Sequence, residues 1–298
     1  MPLISLSANE KIIMKKLLIQ LDSDKHPSSF DRIVPYDAGV DDVLSYGNVA
    51  VEDVAGLVQG AFFTRGIPDL KNTAIWIGGS NVPAGEALLA AVQKTFFGPF
   101  KVSVMLDSNG CNTTAATGVA KIVKAMAVRG QRVVVGAGTG PVGMRAAGML
   151  AGEGANVVLT SRTLQRAQAA AEIVSKRFGV KVEGAALADD ASARKVLEGA
   201  VALFTCGAAG AQVVSRAVWT NLPDLKLIAD INAVPPLGIE GIEMNDNGSE
   251  REGRISFGAL GIGGRKMKVH RTCIARLFEA NDILMDAESV YQVAKELV

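Results

Sequence analysis

Residues 132–162, RVVVGAGTGPVGMRAAGMLAGEGANVVLTSR, combine an apolar run, a glycine-rich turn, a helical pattern and a second apolar run. The turn fits the pattern GxGxxG, in which the first glycine permits a tight turn, the second admits a pyrophosphate and the third lets the helix pack on the strand. The helix start presents free N–H groups to such an anion. The stretch therefore predicts a dinucleotide-binding βαβ unit, and the alternative is a glycine-rich turn without a ligand. The predicted contacts are Gly138, Thr139, Gly140, Pro141, Val142 and Gly143.

The end of the second apolar run indicates which nucleotide binds. Proteins that select NAD usually place a carboxylate there, which accepts a hydrogen bond from the ribose 2′-hydroxyl. This chain has no Asp or Glu from Gly154 to Ala171, and offers Ser161, Arg162 and Arg166 instead. Because guanidinium groups bind phosphate with paired hydrogen bonds, these residues predict NADP as the cofactor. In the alternative, the two arginines are solvated charges at the start of a helix.

Two further apolar runs, residues 201–206 and 225–232, continue the alternation of strand-like and helix-like patterns and predict a doubly wound sheet. Ligands of such sheets bind beyond the carboxyl ends of the strands. Thr205, Ala208 and Asn232 are therefore predicted to meet the nicotinamide half of the cofactor. Cys206 lies at the same edge, and since no histidine is near it in sequence we interpret it as a buried thiol.

The preceding part of the chain shows the same alternation. Strand-like runs at residues 16–22, 73–79 and 100–107 surround a helical pattern at 84–96, which predicts parallel strands. The predicted fold class is α/β, with an α/β substrate domain and a doubly wound Rossmann domain that binds NADP. The C-terminal helices, the second of them capped by Asp286, are expected to return to the substrate domain, although periodicity alone does not decide this. The predicted division is an N-terminal extension at 1–14, the substrate domain at 15–120, the Rossmann domain at 121–264 and the C-terminal helices at 265–298.

Composition excludes several classes of protein. The chain has 298 residues with a net charge of +1, which is not the charge of a nucleic-acid-binding surface. The longest uncharged stretch, residues 199–215, contains glycines and a glutamine, so no membrane span is expected. No secretory signal is visible, which predicts a cytoplasmic protein, and Met14 is an alternative start. Three separate cysteines and two histidines form no zinc-binding pattern, so no metal is expected.

Several motifs together carry a family resemblance. FDRIVPYDAG at 30–39, MLDSNGCNTTAATG at 105–118, NAVPPLGIEGI at 232–242 and FGALGIGGRKMKVHRTCIARLFE at 257–279 occur in one order with the glycine-rich turn. From about Lys15 to Val298 the chain resembles the NADP-dependent methylene-tetrahydromethanopterin dehydrogenases of methylotrophic bacteria.

The resemblance implies that the methylene bridge of a C1-carrying pterin is oxidised to the methenyl form, with NADP+ as the hydride acceptor. It also implies activity on methylene-tetrahydrofolate, a homo-oligomer that is a trimer, and a pterin bound between the domains. Hydride removal leaves a cation that the two flanking nitrogens stabilise, so no general base is obligatory. We therefore expect catalysis by positioning, and by carboxylates or dipoles that favour positive charge.

Five residues are candidates for the substrate site. The resemblance assigns Asp31 and Lys266 to it, and we add Asp22, Asp107 and Asn109 because their strands end where a cleft is expected. Each has an ordinary alternative. Asp107 would cap the following helix, Asp31 would be a surface or capping residue, and Lys266, which follows the GIGG segment that we interpret as flexible, would be an exposed lysine.

Two rival functions stay open at this stage. A shikimate-type NADP-dependent dehydrogenase shares the two-domain plan but needs a proton acceptor, and no Lys/Asp pair fits that pattern. A redox sensor would bind NADP without turnover, and the pterin-type motifs count against it. His270 is interpreted as a packing or helix-surface residue and not as an acid–base group.

Overall fold

A five-stranded parallel sheet forms the first half of the computed structural model, which describes residues 14–298. Apart from Met14, the predicted N-terminal extension lies outside the described residues. The strand order is β12-β4-β3-β1-β2. The strands are β1 (Leu17–Leu21), β2 (Asp42–Tyr46), β3 (Thr73–Ile77), β4 (Ser103–Leu106) and β12 (Leu284–Met285).

Helices cover this sheet, and its central strand is buried over its full length. A parallel strand that is buried on both faces typically has a nearly continuous apolar sequence, as TAIWI at residues 73–77 does. The helices that follow the first four strands are α1 (Ser29–Asp37), α2 (Val54–Phe63), α3 (Val82–Thr95) and α4 (Cys111–Ala125).

A seven-stranded sheet with the order β10-β11-β9-β8-β5-β6-β7 forms the second half, and all of its pairings are parallel except β10 with β11. The predicted doubly wound α/β arrangement is confirmed, with the strand order reversing between β5 and β8. Its strands are β5 (Arg132–Gly136), β6 (Asn156–Ser161), β7 (Val182–Ala186), β8 (Ala200–Thr205), β9 (Leu227–Asp230), β10 (Asn247–Arg251) and β11 (Arg254–Phe257). Its helices are α5 (Pro141–Gly152), α6 (Leu164–Phe178), α7 (Asp190–Leu197) and α8 (Arg216–Trp219).

The C-terminal segment lies against the first sheet. It contains α9 (Ala259–Arg276) and α10 (Ala287–Leu297), and between them β12 pairs with β4. Asp286 caps α10, because its side chain accepts a hydrogen bond from the backbone N–H of Ser289 at 2.9 Å. One hydrophobic cluster joins both sheets and includes buried residues of α4, α9 and α10.

Helices occupy both predicted domain boundaries and the GIGG segment. The predicted boundaries at 120/121 and 264/265 fall inside α4 and α9, so a continuous helix crosses each position. The GIGG segment is likewise helical rather than flexible. A Cβ on Gly261 would collide with the carbonyl oxygen of Asp246, so this glycine allows a close approach between α9 and the turn before β10. No helix among residues 14–298 is long and apolar enough to cross a membrane.

Candidate active site

The glycine-rich turn connects β5 to α5 at the carboxyl edge of the second sheet. The backbone N–H of Gly138 donates to the carbonyl of Thr160 at 2.9 Å, which ties the turn to β6. A Cβ on Gly143 would lie 2.5 Å from the backbone of Gly138, so the helix can pack here only without a side chain. Gly140 has open space around it at the start of α5. The turn thus has room for an anion directly above the helix N-terminus.

Two arginine side chains follow β6, one directly after the strand and one in the first turn of α6. Ser161 is buried, and its carbonyl accepts a hydrogen bond from the backbone N–H of Leu187 at 2.8 Å. Arg162 and Arg166 are exposed, and neither guanidinium group forms a hydrogen bond or ion pair with any residue from 14 to 298. Both groups are available to a ligand that extends from the turn over β6.

At the predicted nicotinamide end, the side chains of Thr205 and Asn232 already form hydrogen bonds within the protein. The hydroxyl of Thr205 donates to Asp230 at 2.7 Å. The amide of Asn232 accepts from the backbone N–H of Val234 at 2.9 Å and donates to the carbonyl of Pro236 at 3.0 Å. These two side chains therefore organise the loop after β9. Ala208 is exposed in the neighbouring loop after β8, where its carbonyl accepts a hydrogen bond from the backbone N–H of Ala211 at 3.1 Å.

Asp230 is a site residue that the sequence analysis missed. It is buried at the end of β9, and its carboxylate also accepts from the backbone N–H groups of Asn232 at 3.1 Å and Gly238 at 2.7 Å. Burial raises the pKa of this carboxyl group. The position of this acid at the end of the apolar run LKLIAD was the sequence signal that could have identified it as a site residue. Burial also raises the pKa of the Cys206 thiol, and the interpretation of Cys206 as a buried thiol is confirmed.

A second concave region, the acidic pocket, lies at the carboxyl edge of the first sheet and has a volume of about 450 Å³. Three of the five predicted substrate residues, Asp31, Asn109 and Lys266, line it. They come from α1, from the turn before α4 and from α9. The other lining residues are Asp24, Ser28, Phe30, Gly79, Ser80 and Gly110.

Asp22 and Asp107 lie buried beside the acidic pocket, at the ends of β1 and β4. Oδ1 of Asp107 accepts from the backbone N–H groups of Asn112 at 2.8 Å and Thr113 at 3.0 Å, so the carboxylate caps α4 as the alternative reading expected. Oδ1 of Asp22 accepts from the backbone N–H of Asp24 at 2.8 Å. Both carboxylates are thus fixed by the backbone around the pocket.

Negative charge is concentrated here. Burial first, and then the charges of Asp107 and Asp22, raise the pKa of Asp31 to about 7, while Lys266 opposes that rise. Burial also raises the pKa of Asp107, against the opposing charge of Lys266. Nζ of Lys266 lies 5.5 Å from the ring centroid of Phe30, and it forms no hydrogen bond or ion pair with residues 14–298. The ammonium group therefore acts on the carboxyl groups of Asp31 and Asp107 without forming an ion pair with either.

His270 lies one helical turn beyond Lys266, in the packed interior. It is buried and stacked on Trp76, with ring centroids 4.7 Å apart and planes 4° from parallel. Burial, followed by the positive charge of Lys266, lowers the pKa of His270 to about 3. The ring is neutral at physiological pH, and its interpretation as a packing residue is confirmed.

One buried arginine, also missed from sequence, connects the two regions. Arg145 in α5 donates to the carboxylate of Glu86 in α3 at 2.8 Å and to the carbonyl of Pro141 in the glycine-rich turn at 3.2 Å. Its Nε donates to the side-chain oxygen of Asn112, next to the cap formed by Asp107. The side chain of Arg145 is 4% exposed. A continuous set of hydrogen bonds therefore runs from the glycine-rich turn to the edge of the acidic pocket.

A doubly wound sheet with a glycine-rich anion site, next to a pocket on a second parallel sheet, is the arrangement of a two-domain nicotinamide-nucleotide dehydrogenase. Within residues 14–298, no group of three or more His, Cys, Asp or Glu side chains is placed to hold a metal ion.

Comparison with known proteins gives a narrower assignment. The family model described as the N-terminal part of methylene-tetrahydromethanopterin dehydrogenase matches residues 29–109. The chain is 54% identical over 285 residues to the bifunctional protein MdtA of Methylorubrum extorquens, covering 95% of this chain and 99% of that protein. It is 31% identical to the NAD(P)-dependent methylenetetrahydromethanopterin dehydrogenase of the same organism, with the same coverage.

The chain belongs to the methylene-tetrahydromethanopterin dehydrogenase family, as its motifs predicted. Among solved structures, the shikimate 5-dehydrogenase of Mycobacterium fortuitum is similar in fold, with a TM-score of 0.54 and 15% identity over 95% of this chain and 99% of that chain. The rival class therefore shares the two-domain fold, while the family is that of the pterin dehydrogenases.

Proposed function

We propose that the protein oxidises methylene-tetrahydromethanopterin to the methenyl form, with NADP+ as the hydride acceptor. The observation that carries this proposal is the convergence of Asp31, Asn109 and Lys266 in the acidic pocket. Family membership supports the reaction, because both curated relatives match over nearly their whole length. The family resemblance implies methylene-tetrahydrofolate as a second substrate, and the first relative is named as a bifunctional protein.

The nucleotide would lie across the carboxyl edge of the second sheet. Gly140 leaves space for the pyrophosphate, and the start of α5 supplies N–H groups to it. The guanidinium groups of Arg162 and Arg166 would bind the 2′-phosphate beside Ser161. The exposed Ala208, and the loop that Thr205 and Asn232 hold, would contact the nicotinamide end. When bound, NADP+ supplies the carbon that accepts the hydride.

The acidic pocket suits a reaction that creates positive charge. Loss of hydride from the methylene carbon leaves a cation, and carboxylates already held in a low-dielectric pocket stabilise it without reorganisation. Asp22 and Asp107 are fixed by backbone N–H groups, whereas Asp31 lies at the pocket wall. We therefore propose that Asp31 is the carboxyl group whose ionisation affects the reaction most near neutral pH.

Lys266 has a different role. An ammonium group near a developing cation is electrostatically unfavourable, so direct charge stabilisation is excluded as its function. Its Nζ is unpaired in residues 14–298 and faces the pocket, which suits a hydrogen bond to a pterin carbonyl or ring nitrogen. Its charge also opposes the rise in the pKa of Asp31. Lys266 would orient the substrate and keep Asp31 ionised near neutral pH.

The proposal extends to organisation. We propose a substrate domain built on the first sheet, with the pterin between it and the Rossmann domain. The pairing of β12 with β4 supports inclusion of the C-terminal segment in the substrate domain. We also propose a cytoplasmic homo-oligomer that is a trimer, which the family resemblance alone supports. Sedimentation equilibrium tests the trimer, and a monomer or dimer at assay concentration contradicts it.

The experiment is an absorbance assay at the band of reduced nicotinamide. Purified protein is mixed with NADP+ and either methylene-tetrahydromethanopterin, methylene-tetrahydrofolate or shikimate. We expect reduction of NADP+ with the first pterin and none with shikimate. Turnover of shikimate would establish the rival dehydrogenase class. NADP+ binding in a calorimetric titration, without turnover of any of the three, would establish a sensor instead.

A further inference from the structure

A separate concave region, the cationic pocket, lies between α4, the start of α9 and the turn before β10. Its volume is about 560 Å³, and Lys121, Arg265, Lys268 and Arg271 contribute four positive charges to its lining. No Asp or Glu belongs to the residues that line it. None of the residues of the glycine-rich turn or of the acidic pocket lines it either. The region is distinct from both parts of the proposed active site.

Lys121 is the most unusual of the four. The residue is 8% exposed, and its ammonium group donates to the side-chain oxygen of Asn247 at 2.5 Å and lies 5.2 Å from the ring centroid of Phe257. Neither partner is an anion, and no carboxylate in residues 14–298 forms an ion pair with Lys121. A buried ammonium without a counter-ion is costly, and burial together with the charge of Arg265 lowers the pKa of Lys121.

The other cations are also weakly compensated. Arg265 and Lys268 are exposed and form no hydrogen bond or ion pair with the described residues. Arg271 lies 3.9 Å from the carboxylate of Asp37, with both side chains near half exposed. All three belong to α9, and Gly264 on the same face has open space around it, which leaves helix backbone accessible. In a chain of net charge +1, such a local excess indicates a site that an anion completes.

We propose that the cationic pocket binds an anion that carries phosphate groups. Arginine binds phosphate oxygens in pairs, and the buried ammonium supplies a fixed point charge behind them. The volume exceeds that of one phosphate group, so pyrophosphate or a phosphorylated small molecule fits better than a single inorganic phosphate. The observations that carry this proposal are independent of the dehydrogenase activity.

The test uses the full chain with Gly140→Val and Arg162→Ala as background, because the pyrophosphate and 2′-phosphate positions of the proposed nucleotide site would otherwise bind the same anions. Pyrophosphate, inorganic phosphate and citrate are titrated separately by calorimetry at matched ionic strength. We expect pyrophosphate to bind, and its Kd to rise by about tenfold or more in Arg265→Ala/Lys268→Ala, because two charge-assisted contacts are removed. The control pair Lys71→Ala/Lys94→Ala removes the same charge elsewhere and should leave the Kd within about twofold.

Lys121→Met distinguishes an anion site from a structural lysine. If the ammonium lacks a counter-ion, this variant should melt at the wild-type temperature or above it without anion, and should lose the increase in Tm that pyrophosphate produces. A lower Tm with the pyrophosphate effect intact would make Lys121 structural and overturn the proposal. So would pyrophosphate binding that the control pair weakens as much as the pocket variant. Tighter binding of citrate than of pyrophosphate would replace phosphate by a polycarboxylate and contradict the ligand assigned here.

Discussion

The two halves of the proposed active site are built in opposite ways. The phosphate-binding part of the nucleotide side is local in sequence, because the turn after β5 and the end of β6 belong to one βαβ unit, and the turn acts through its backbone. The acidic pocket is assembled from α1, the turn before α4 and α9, which lie far apart along the chain. Where backbone groups form the binding site, a side chain added at the residue that approaches the ligand blocks binding. An assembled site depends on individual charged side chains. Each substitution there should therefore cause a partial loss of activity that can be measured separately from the others.

The largest effect is expected on the nucleotide side. Gly140→Val places a branched side chain where the pyrophosphate must approach, and should abolish NADP+ binding. The fold should survive, because nothing lies within 4 Å of the added Cβ. Calorimetric titration with NADP+ and far-ultraviolet circular dichroism measure the two outcomes. Gly60→Val, at another open position in a helix, is the control for the substitution itself. Normal NADP+ affinity in a folded Gly140→Val variant would reduce the motif to a turn.

Lys266→Gln tests the assembled side. If the ammonium orients the pterin, turnover should fall by about a hundredfold while NADP+ affinity stays within about twofold, because a displacement of ~1 Å is enough for such a loss. Lys266→Arg should restore part of the rate, and Lys94→Gln is a control at an exposed lysine. Steady-state kinetics beside cofactor titration gives both quantities. Unchanged turnover would place Lys266 outside the active site, and a parallel loss of NADP+ binding would move it to the nucleotide.

Arg162→Ala should have a smaller and selective effect. Loss of one charge-assisted phosphate contact costs about 1.5–3 kcal/mol, which is roughly ten- to a hundredfold in the Kd of NADP+. Because NAD+ lacks the 2′-phosphate, its Kd should hardly change. Arg194→Ala is the matched control on the same domain, where no phosphate contact is expected. An equal loss of affinity for both nucleotides would contradict the assignment of Arg162.

What the sequence could predict follows the same division. The glycine-rich turn and the doubly wound sheet were predictable because strand, turn and helix signals are local. The acidic pocket was predictable in part, since the carboxyl ends of parallel strands lie at one edge of the sheet and place Asp22 and Asp107 at that edge. The helical state of GIGG was not predictable, because a glycine that allows close packing against Asp246 cannot be told from a glycine in a flexible segment by sequence alone. Arg145 was missed because two of its partners, Glu86 and Asn112, lie on other helices far away in the sequence.

A dependence on pH should distinguish the assembled side further. Asp31 has a pKa raised to about 7, so it is largely protonated below that pH and ionised above it. Because the carboxylate favours the cation that forms, kcat/KM should rise by up to about tenfold per pH unit below the pKa and level off above it. Lys266→Gln removes a charge that lowers this pKa, so the rise should move to higher pH. In Asp31→Asn the rise should vanish, and a profile that keeps it would assign the titration to another group.

Arg145 offers the finest test, because it joins the two halves that the other variants separate. Its guanidinium contacts Pro141 at the nucleotide turn and Asn112 beside Asp107, so its removal should alter how binding at one site affects the other. Coupling energies of this kind are typically about 1–3 kcal/mol. We expect Arg145→Lys to reduce the effect of bound NADP+ on pterin affinity by about fivefold, near the lower end of that range.

The control is Arg177→Lys, because Arg177 shares the carboxylate of Glu86 at 2.9 Å but is not among the hydrogen-bond partners of Asn112. A double-mutant cycle of Arg145→Lys with Asn112→Ala measures the direct contribution of this contact, and an interaction energy of at least about 0.5 kcal/mol is expected. If the two changes are additive and the effect of NADP+ on pterin affinity is unchanged, Arg145 is a structural ion-pair partner alone. The two halves would then be independent sites held on one scaffold.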